Sequence, residues 1–241
     1  RRMVYEEMLQ FGRDQVLMIY SDTILVYDRQ TRTLLKEIAL PEGSYGGVVA
    51  DYEGDGDPDI FVYDNYKIKV IELDTETILH EFSYYVRYLN VAQVDDDPQL
   101  GMIFASYYSD NGGYVIDLLT KEIEWVCHPN FGSFITLGDI DQDGKDELIM
   151  GSGHYELVAY DIDTGSEKWR KEYSSISALY LNDLDDNGSM EVLLSQEYRH
   201  LVTCLQGIDG ELLWTVDGKI YEMINLFAAD LDLDGCKEII G

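Results

Sequence analysis

An all-β fold made from one repeating four-stranded unit is what this sequence predicts, on three observations. The first is a turn that returns at a fixed interval. Its clearest copy reads Tyr160-Asp161-Ile162-Asp163-Thr164-Gly165, and Thr31, Thr75, Thr120 and Asp209 hold the place of Thr164 at steps of 44 or 45 residues. The second is a slot five residues further on, holding Lys36, His80, Trp125, Trp169 and Trp214 at the same steps. Two features kept in phase over five cycles mark an internal repeat. The third is the content of one period. Between Phe134 and Tyr173, apolar-rich runs at 134–137, 147–150, 156–160 and 167–171 are separated by Asp-Gly, Gly-Ser-Gly and Asp-Thr-Gly. No window sustains a helical period. Four short strands in about 45 residues are the pattern of a β-propeller blade, and blades stack because none buries both faces alone.

Taken in order, the units run near 4–44, 45–85, 86–133, 134–175 and 176–223, with a partial sixth at 224–241. The expectation is a single propeller domain over 1–241, five full blades and part of a sixth. Segment Gln15–Tyr20 aligns with Lys237–Gly241 as the same blade strand, so the terminal strands overlap rather than complement. That reads as a piece of a larger propeller, with a displaced N-terminal strand as the alternative.

Composition narrows the function. The chain is 46% apolar with 19 Tyr, enough for a sizeable core. Its net charge of −30 excludes nucleic acid and anionic lipid surfaces as natural partners, because phosphate binding relies on clustered Lys and Arg. No run of about 18 apolar residues is present, so no membrane insertion is expected. Cys127, Cys204 and Cys236 are odd in number and lack short spacing, which fits reduced or buried thiols better than a disulfide framework or zinc site.

Much of the acidity sits in one loop type, between the first and second strands of a unit. Asp139-Ile140-Asp141-Gln142-Asp143-Gly144-Lys145-Asp146-Glu147 is the clearest copy. The others are Asp51-Tyr52-Glu53-Gly54-Asp55-Gly56-Asp57-Pro58-Asp59, Asp183-Leu184-Asp185-Asp186-Asn187-Gly188-Ser189-Met190-Glu191 and Asp230-Leu231-Asp232-Leu233-Asp234-Gly235-Cys236-Lys237-Glu238. Oxygen side chains stand at positions 1, 3, 5 and 9, with Gly at 6. Calcium takes six to eight oxygens at roughly 2.3–2.6 Å, which alternate residues on a tight turn can supply. Gly at 6 permits the turn. The main-chain carbonyl at 7, from Asp57, Lys145, Ser189 or Cys236, completes the cage with the acid at 9. Magnesium, with its smaller octahedron, fits less well. An EF-hand would need a bidentate Glu at position 12, where Val62, Met150, Leu194 and Gly241 stand instead. About four calcium ions are therefore expected. The third unit has Gln93, Pro98 and Gly101 at positions 1, 6 and 9, so no tight site is expected there; the first unit keeps only Glu7 and Gly12. The four loops and the decayed third hold 21 of the 47 acidic residues, so the charge is better explained by metal than by steering of a partner.

These loops and their strands resemble the FG-GAP and VCBS-type propeller repeats of integrin α-subunit heads and many secreted microbial proteins, and the resemblance covers essentially the whole chain. It implies calcium ligands at positions 1, 3, 5 and 9 and at the carbonyl of 7. Position 9 is Glu in three loops where Asp is commoner, and Phe11-Gly12 and Phe131-Gly132 are present without a Gly-Ala-Pro. The stretch at 163–169 also looks like quinoprotein-type repeats.

Of the remaining candidates, the three tryptophans read as packing between blades, and His80, His128, His154 and His200, at different repeat positions, as surface or structural groups. Asn187-Gly188-Ser189 is a glycosylation sequon that competes with the ligand role of Asn187. Tyr45, Tyr84, Tyr85, Tyr107, Tyr108 and Tyr173 lie near strand ends. No nucleophile–His–acid set, P-loop or dinucleotide fingerprint occurs. The leading expectation is a calcium-supported module for adhesion, scaffolding or protein interaction at the cell surface, with a protein or glycan partner. A propeller-based polysaccharide lyase or glycoside hydrolase, and a subunit of an extracellular filament, are the alternatives.

Overall fold

The computed structural model describes residues 4–7, 14–20, 22–40, 43–44, 46–64, 66–95, 97–106, 112–128, 132, 134–152, 156–173, 175–196, 201–217, 226–232, 234 and 236–240, of which 4–7 and 152 by backbone alone. Among them are only strands, turns and bends. The strands form consecutive antiparallel sheets. Sheet one orders β1 (Val4–Glu7), β2 (Gln15–Ile19), β3 (Thr23–Asp28) and β4 (Leu34–Ala39). Sheet two orders β5 (Gly46–Ala50), β6 (Asp59–Tyr63), β7 (Ile68–Glu72) and β8 (Ile78–Phe82). Sheet three has β9 (Tyr88–Ala92), β10 (Gly101–Ala105), β11 (Gly113–Asp117) and β12 (Ile123–Cys127). Sheet four has β13 (Phe134–Gly138), β14 (Glu147–Ser152), β15 (Glu156–Asp161) and β16 (Glu167–Glu172). Sheet five has β17 (Ile176–Asn182), β18 (Glu191–Gln196), β19 (Leu201–Gln206) and β20 (Leu212–Asp217). A sixth, two-stranded sheet pairs β21 (Phe227–Ala229) with β22 (Glu238–Ile240). β2 and β22 are second strands of their sheets, the equivalence read from the sequence.

The chain divides into two compact units, residues 1–124 and 125–241. Within the first, the core lies between consecutive sheets. Strand β6 is buried throughout, and its alternate side chains serve two layers. Ile60 and Val62 join Leu17, Ile19 and Val26 of sheet one, whereas Phe61 and Tyr63 join Met102, Phe104 and Ile116 of sheet three. The second unit repeats the scheme on β18. Val192 and Leu194 pack with Ile149, Leu157 and Trp169 of sheet four, and Leu193 faces Cys204 and Leu226. This two-sided burial is why the second strands read as continuous apolar runs.

The recurring turn joins strands three and four of each full sheet. The N–H groups of Arg32, Glu76, Lys121, Gly165 and Gly210 donate to the carbonyls of Asp28, Glu72, Asp117, Asp161 and Gln206 at 2.8–2.9 Å. The five donors all have positive φ, between 58° and 68°. The Thr hydroxyls of 31, 120 and 164 close the turn on the preceding Asp at 2.5–2.7 Å.

The slot residue of one sheet reaches the turn of the next. Trp125 donates its indole N–H to the Ile162 carbonyl at 2.6 Å, and Trp169 donates to Gly207 at 2.7 Å. Lys36 makes the same reach to the Leu73 carbonyl at 2.8 Å. The packing role expected for the tryptophans is thus joined to a hydrogen bond at Trp125 and Trp169, whereas Trp214 is exposed. Gly165 lies directly beneath Trp125: a Cβ there would stand 2.7 Å from the indole Cδ2, at φ +67°. Gly165→Ala is expected to destabilise by about 1–3 kcal/mol in urea unfolding, from left-handed strain plus the clash. Gly144→Ala, strained but with nothing within 4 Å of its Cβ, should fall at the lower end. Equal costs would remove the indole contact from the account.

Candidate metal centres in the acidic loops

The four acidic loops share one hydrogen-bond pattern. The carboxylate at position 9 reaches back to the N–H of position 2: Asp59 to Tyr52, Glu147 to Ile140, Glu191 to Leu184 and Glu238 to Leu231, at 2.8–2.9 Å. The aspartate at position 1 accepts the N–H of position 5 at 3.1–3.2 Å in all four. Its second oxygen accepts the glycine N–H of position 6 at 2.8–2.9 Å in the loops at 51, 139 and 183. Position 5 accepts from position 7 throughout, at 2.7–2.9 Å. Gly56, Gly144 and Gly188 take φ of 88–92°, the conformation for which glycine was expected at position 6. Gly235 lies outside the described residues.

Position 4 is also left-handed. Gly54 has φ +73°, but Gln142 and Asp186 adopt +64° and +56° without glycine's freedom. This strained position was not visible in the spacing.

The structure brings together the side chains of Asp139, Asp141 and Glu147, of Asp183, Asp185 and Glu191, and of Asp230, Asp232 and Asp234. Each trio offers oxygens lying within 4.8 Å of one another. Asp143, assigned to position 5, and Glu238, assigned to position 9, lie outside these trios, and the side-chain oxygens of Asp143 and Asn187 accept their own loop N–H groups. Asp51, Glu53, Asp55, Asp57 and Asp59 do not converge to this degree among the described residues. The carboxylate donors suit a hard cation, and a buried Oδ1 of Asp141 has no hydrogen-bond partner. The carboxylate sets at 139, 183 and 230 therefore fit calcium.

A fourth trio was missed by spacing. Asp95 and Asp97 of the decayed third loop lie within 4.8 Å of Asp117, from the end of β11. Asp117 precedes the Thr120 turn by three residues, so its approach comes from a different hairpin. The expectation of no tight site considered only positions 93–101. The remnant loop of the first unit falls largely outside the described residues.

Electrostatics match carboxylates held out of water. Burial pushes Glu147 and Glu191 above the usual carboxylate range, opposed by the Lys168 hydrogen bond for the first and the Leu184 N–H for the second. Burial, assisted by Glu53, Asp51 and Asp55, pushes Asp59 up to about 6 against the Tyr52 N–H. An acid raised in the folded state holds a proton there that the unfolded chain has released. In metal-free solution, stability from Asp59 therefore falls as pH rises from about 4 through about 6, by up to about 3 kcal/mol. The urea midpoint should be higher at pH 5 than at pH 7, and Asp59→Asn should flatten the difference. A flat wild-type profile would contradict the shift.

No family model matches the sequence, and no curated protein matches it. Solved structures do share its fold. Sqt1 of Saccharomyces cerevisiae superposes with a TM-score of 0.69 at 10% identity, over 94% of this chain and 65% of that one. BBS1N, solved in complex with ARL6DN, gives 0.68 at 10% identity, over 98% of this chain and 74% of that one. BamB of Moraxella catarrhalis gives 0.57 at 15% identity, over 90% and 62%. These are propeller proteins. The chain has a β-propeller fold. It spans less than two thirds of Sqt1 and of BamB.

In propeller terms the sheets are blades, and the acidic loops join first to second strands at one end of each. The other expected residues are placed as follows. His80 packs between Tyr52 and Phe82, with ring centroids 6.2 and 4.4 Å away, and His128 is exposed. Tyr84 packs on Phe104 at 4.8 Å and Tyr85 on Tyr66 at 5.2 Å. His154, His200, Tyr45, Tyr107, Tyr108 and Phe131 lie outside the described residues. Cys127 and Cys204 are buried, Cys236 is exposed, and none of the three forms a disulfide. Among the described residues no helix is long and apolar enough to cross a membrane.

Proposed function

We propose that this chain is a calcium-stabilised propeller acting as a protein-interaction scaffold, with calcium as a structural ion. The observation that carries the reading is the convergence, in repeat phase, of carboxylates at 139, 183 and 230 within 4.8 Å. Like charges so close repel, and a divalent cation relieves that repulsion. In this reading the repeats are of the FG-GAP or VCBS type, five full blades and a partial sixth. The setting is extracellular or at the cell surface, where weak modules of this kind are filled.

An interaction role is supported by the propeller relatives, one of them solved with a protein partner. It is also supported by β20, the outer strand of blade five. Leu212, Leu213, Trp214 and Val216 are 38–57% exposed there, a concentration of apolar surface suited to protein contact.

Calorimetric titration of the chelator-treated chain with calcium tests the metal part directly. Saturable binding at two or more sites is expected, and magnesium should compete poorly. Absence of binding at millimolar calcium would remove the ion from the function.

A further inference from the structure

We infer that Lys168 is a tethered cation that fills the loop at 139, so that this loop takes calcium only by displacing an ammonium group, after the loops at 183 and 230. The inference rests on the calcium reading above, and assigns a regulator to one of its sites.

Lys168 projects from β16 of the same blade. Its Nζ donates to Asp141 Oδ2 at 2.6 Å and, closer still, to Glu147 Oε1. Two of the three carboxylates that converge at this loop are therefore engaged by one nitrogen. The spacing matters, because about 2.3–2.6 Å is also the distance at which calcium holds its oxygens. An ion drawing on Asp141 Oδ2 and Glu147 Oε1 would have to displace this nitrogen. The pair is partly sheltered: Glu147 is 1% exposed and the Lys168 side chain 20%. An ion pair so placed resists screening by salt more than a surface pair does.

The repeat does not supply this lysine elsewhere. At the repeat position of Lys168 stand Leu35, Leu79, Glu124 and Leu213. The loop at 183 does meet a lysine, but differently. Lys237 contacts the Asp183 main-chain carbonyl and Asp186 Oδ1, at position 4, rather than the converging carboxylates of Asp183, Asp185 and Glu191. Lys145 of the 139 loop turns away to Asp163 at 2.8 Å. One lysine, at one repeat position, thus separates a self-compensated loop from its neighbours.

Lys168→Met keeps the stem and removes the charge, and Lys168→Gln serves as a second variant should Met fold poorly. In calorimetric titration of the full chain, Lys168→Met is expected to gain calcium affinity at one site by at least tenfold, and Asp141→Asn added to it should abolish the gain. In chelator the same variant should melt lower than wild type, since Asp141 and Glu147 lose their counter-charge, and calcium should restore it. An unchanged isotherm, or an unchanged melting temperature in chelator, overturns the inference. The two readings separate cleanly. If wild type binds no calcium but Lys168→Met binds one ion, the blocking role of Lys168 stands while the wider calcium reading and the order of filling fall. If wild type binds and the variant adds nothing, only the inference falls. If neither binds, both fall.

Discussion

Trp169→Ala is expected to destabilise the chain by about 3–5 kcal/mol, the range for truncating a large buried aromatic. Trp169 is 8% exposed and packs with Ile149, Leu157 and Val192 between blades four and five. Its indole N–H reaches the Gly207 carbonyl, which the truncation leaves without that donor. Trp214 occupies the same repeat position in blade five but is 38% exposed. Its truncation should cost under about 1 kcal/mol, as surface changes do. Urea unfolding of both variants checks the contrast. Equal losses would mean that the slot tryptophans do not act through contact with the next blade's turn.

Calcium should raise the melting temperature of the chelated chain by about 5–11 °C for each loop filled. A ligand that binds only the folded state contributes about 2.7 kcal/mol at a hundredfold excess over Kd, and about 1 kcal/mol moves a chain of this size by 2–4 °C. The loop at 183 should respond most fully, because its three carboxylates converge without a lysine on them. Glu191→Gln keeps an acceptor for the Leu184 N–H while removing a charge from the trio. It should forfeit one loop's increment in calcium and change little in chelator. Differential scanning calorimetry at matched pH resolves the two conditions. An increment retained in Glu191→Gln would place the ion elsewhere.

The fold was legible because the propeller repeats itself. The turn at Thr31, Thr75, Thr120, Thr164 and Asp209 and the slot five residues later each recur in a different blade, so noise in one copy is corrected by the rest. The position 6 glycines were legible for a similar reason, since only a left-handed residue closes the loop. What escaped depends on approach across strands. Asp117 joins Asp95 and Asp97 from another hairpin, and Lys168 reaches Asp141 and Glu147 from the fourth strand of its blade. No spacing along one segment encodes either meeting. The left-handed Gln142 and Asp186 escaped because their residue types do not announce that conformation. Lys36 was legible as a slot residue, but its equivalence to Trp125 and Trp169 rests on a shared hydrogen bond to the next turn rather than on side-chain kind.

Anomalous diffraction from crystals grown in calcium shows whether the repeated acidic loops hold the ion. Peaks are expected between Asp183, Asp185 and Glu191 and between Asp230, Asp232 and Asp234, with a weaker one at 139 that strengthens in Lys168→Met. No peak at either the 183 or the 230 loop, at millimolar calcium, would contradict calcium binding by these loops.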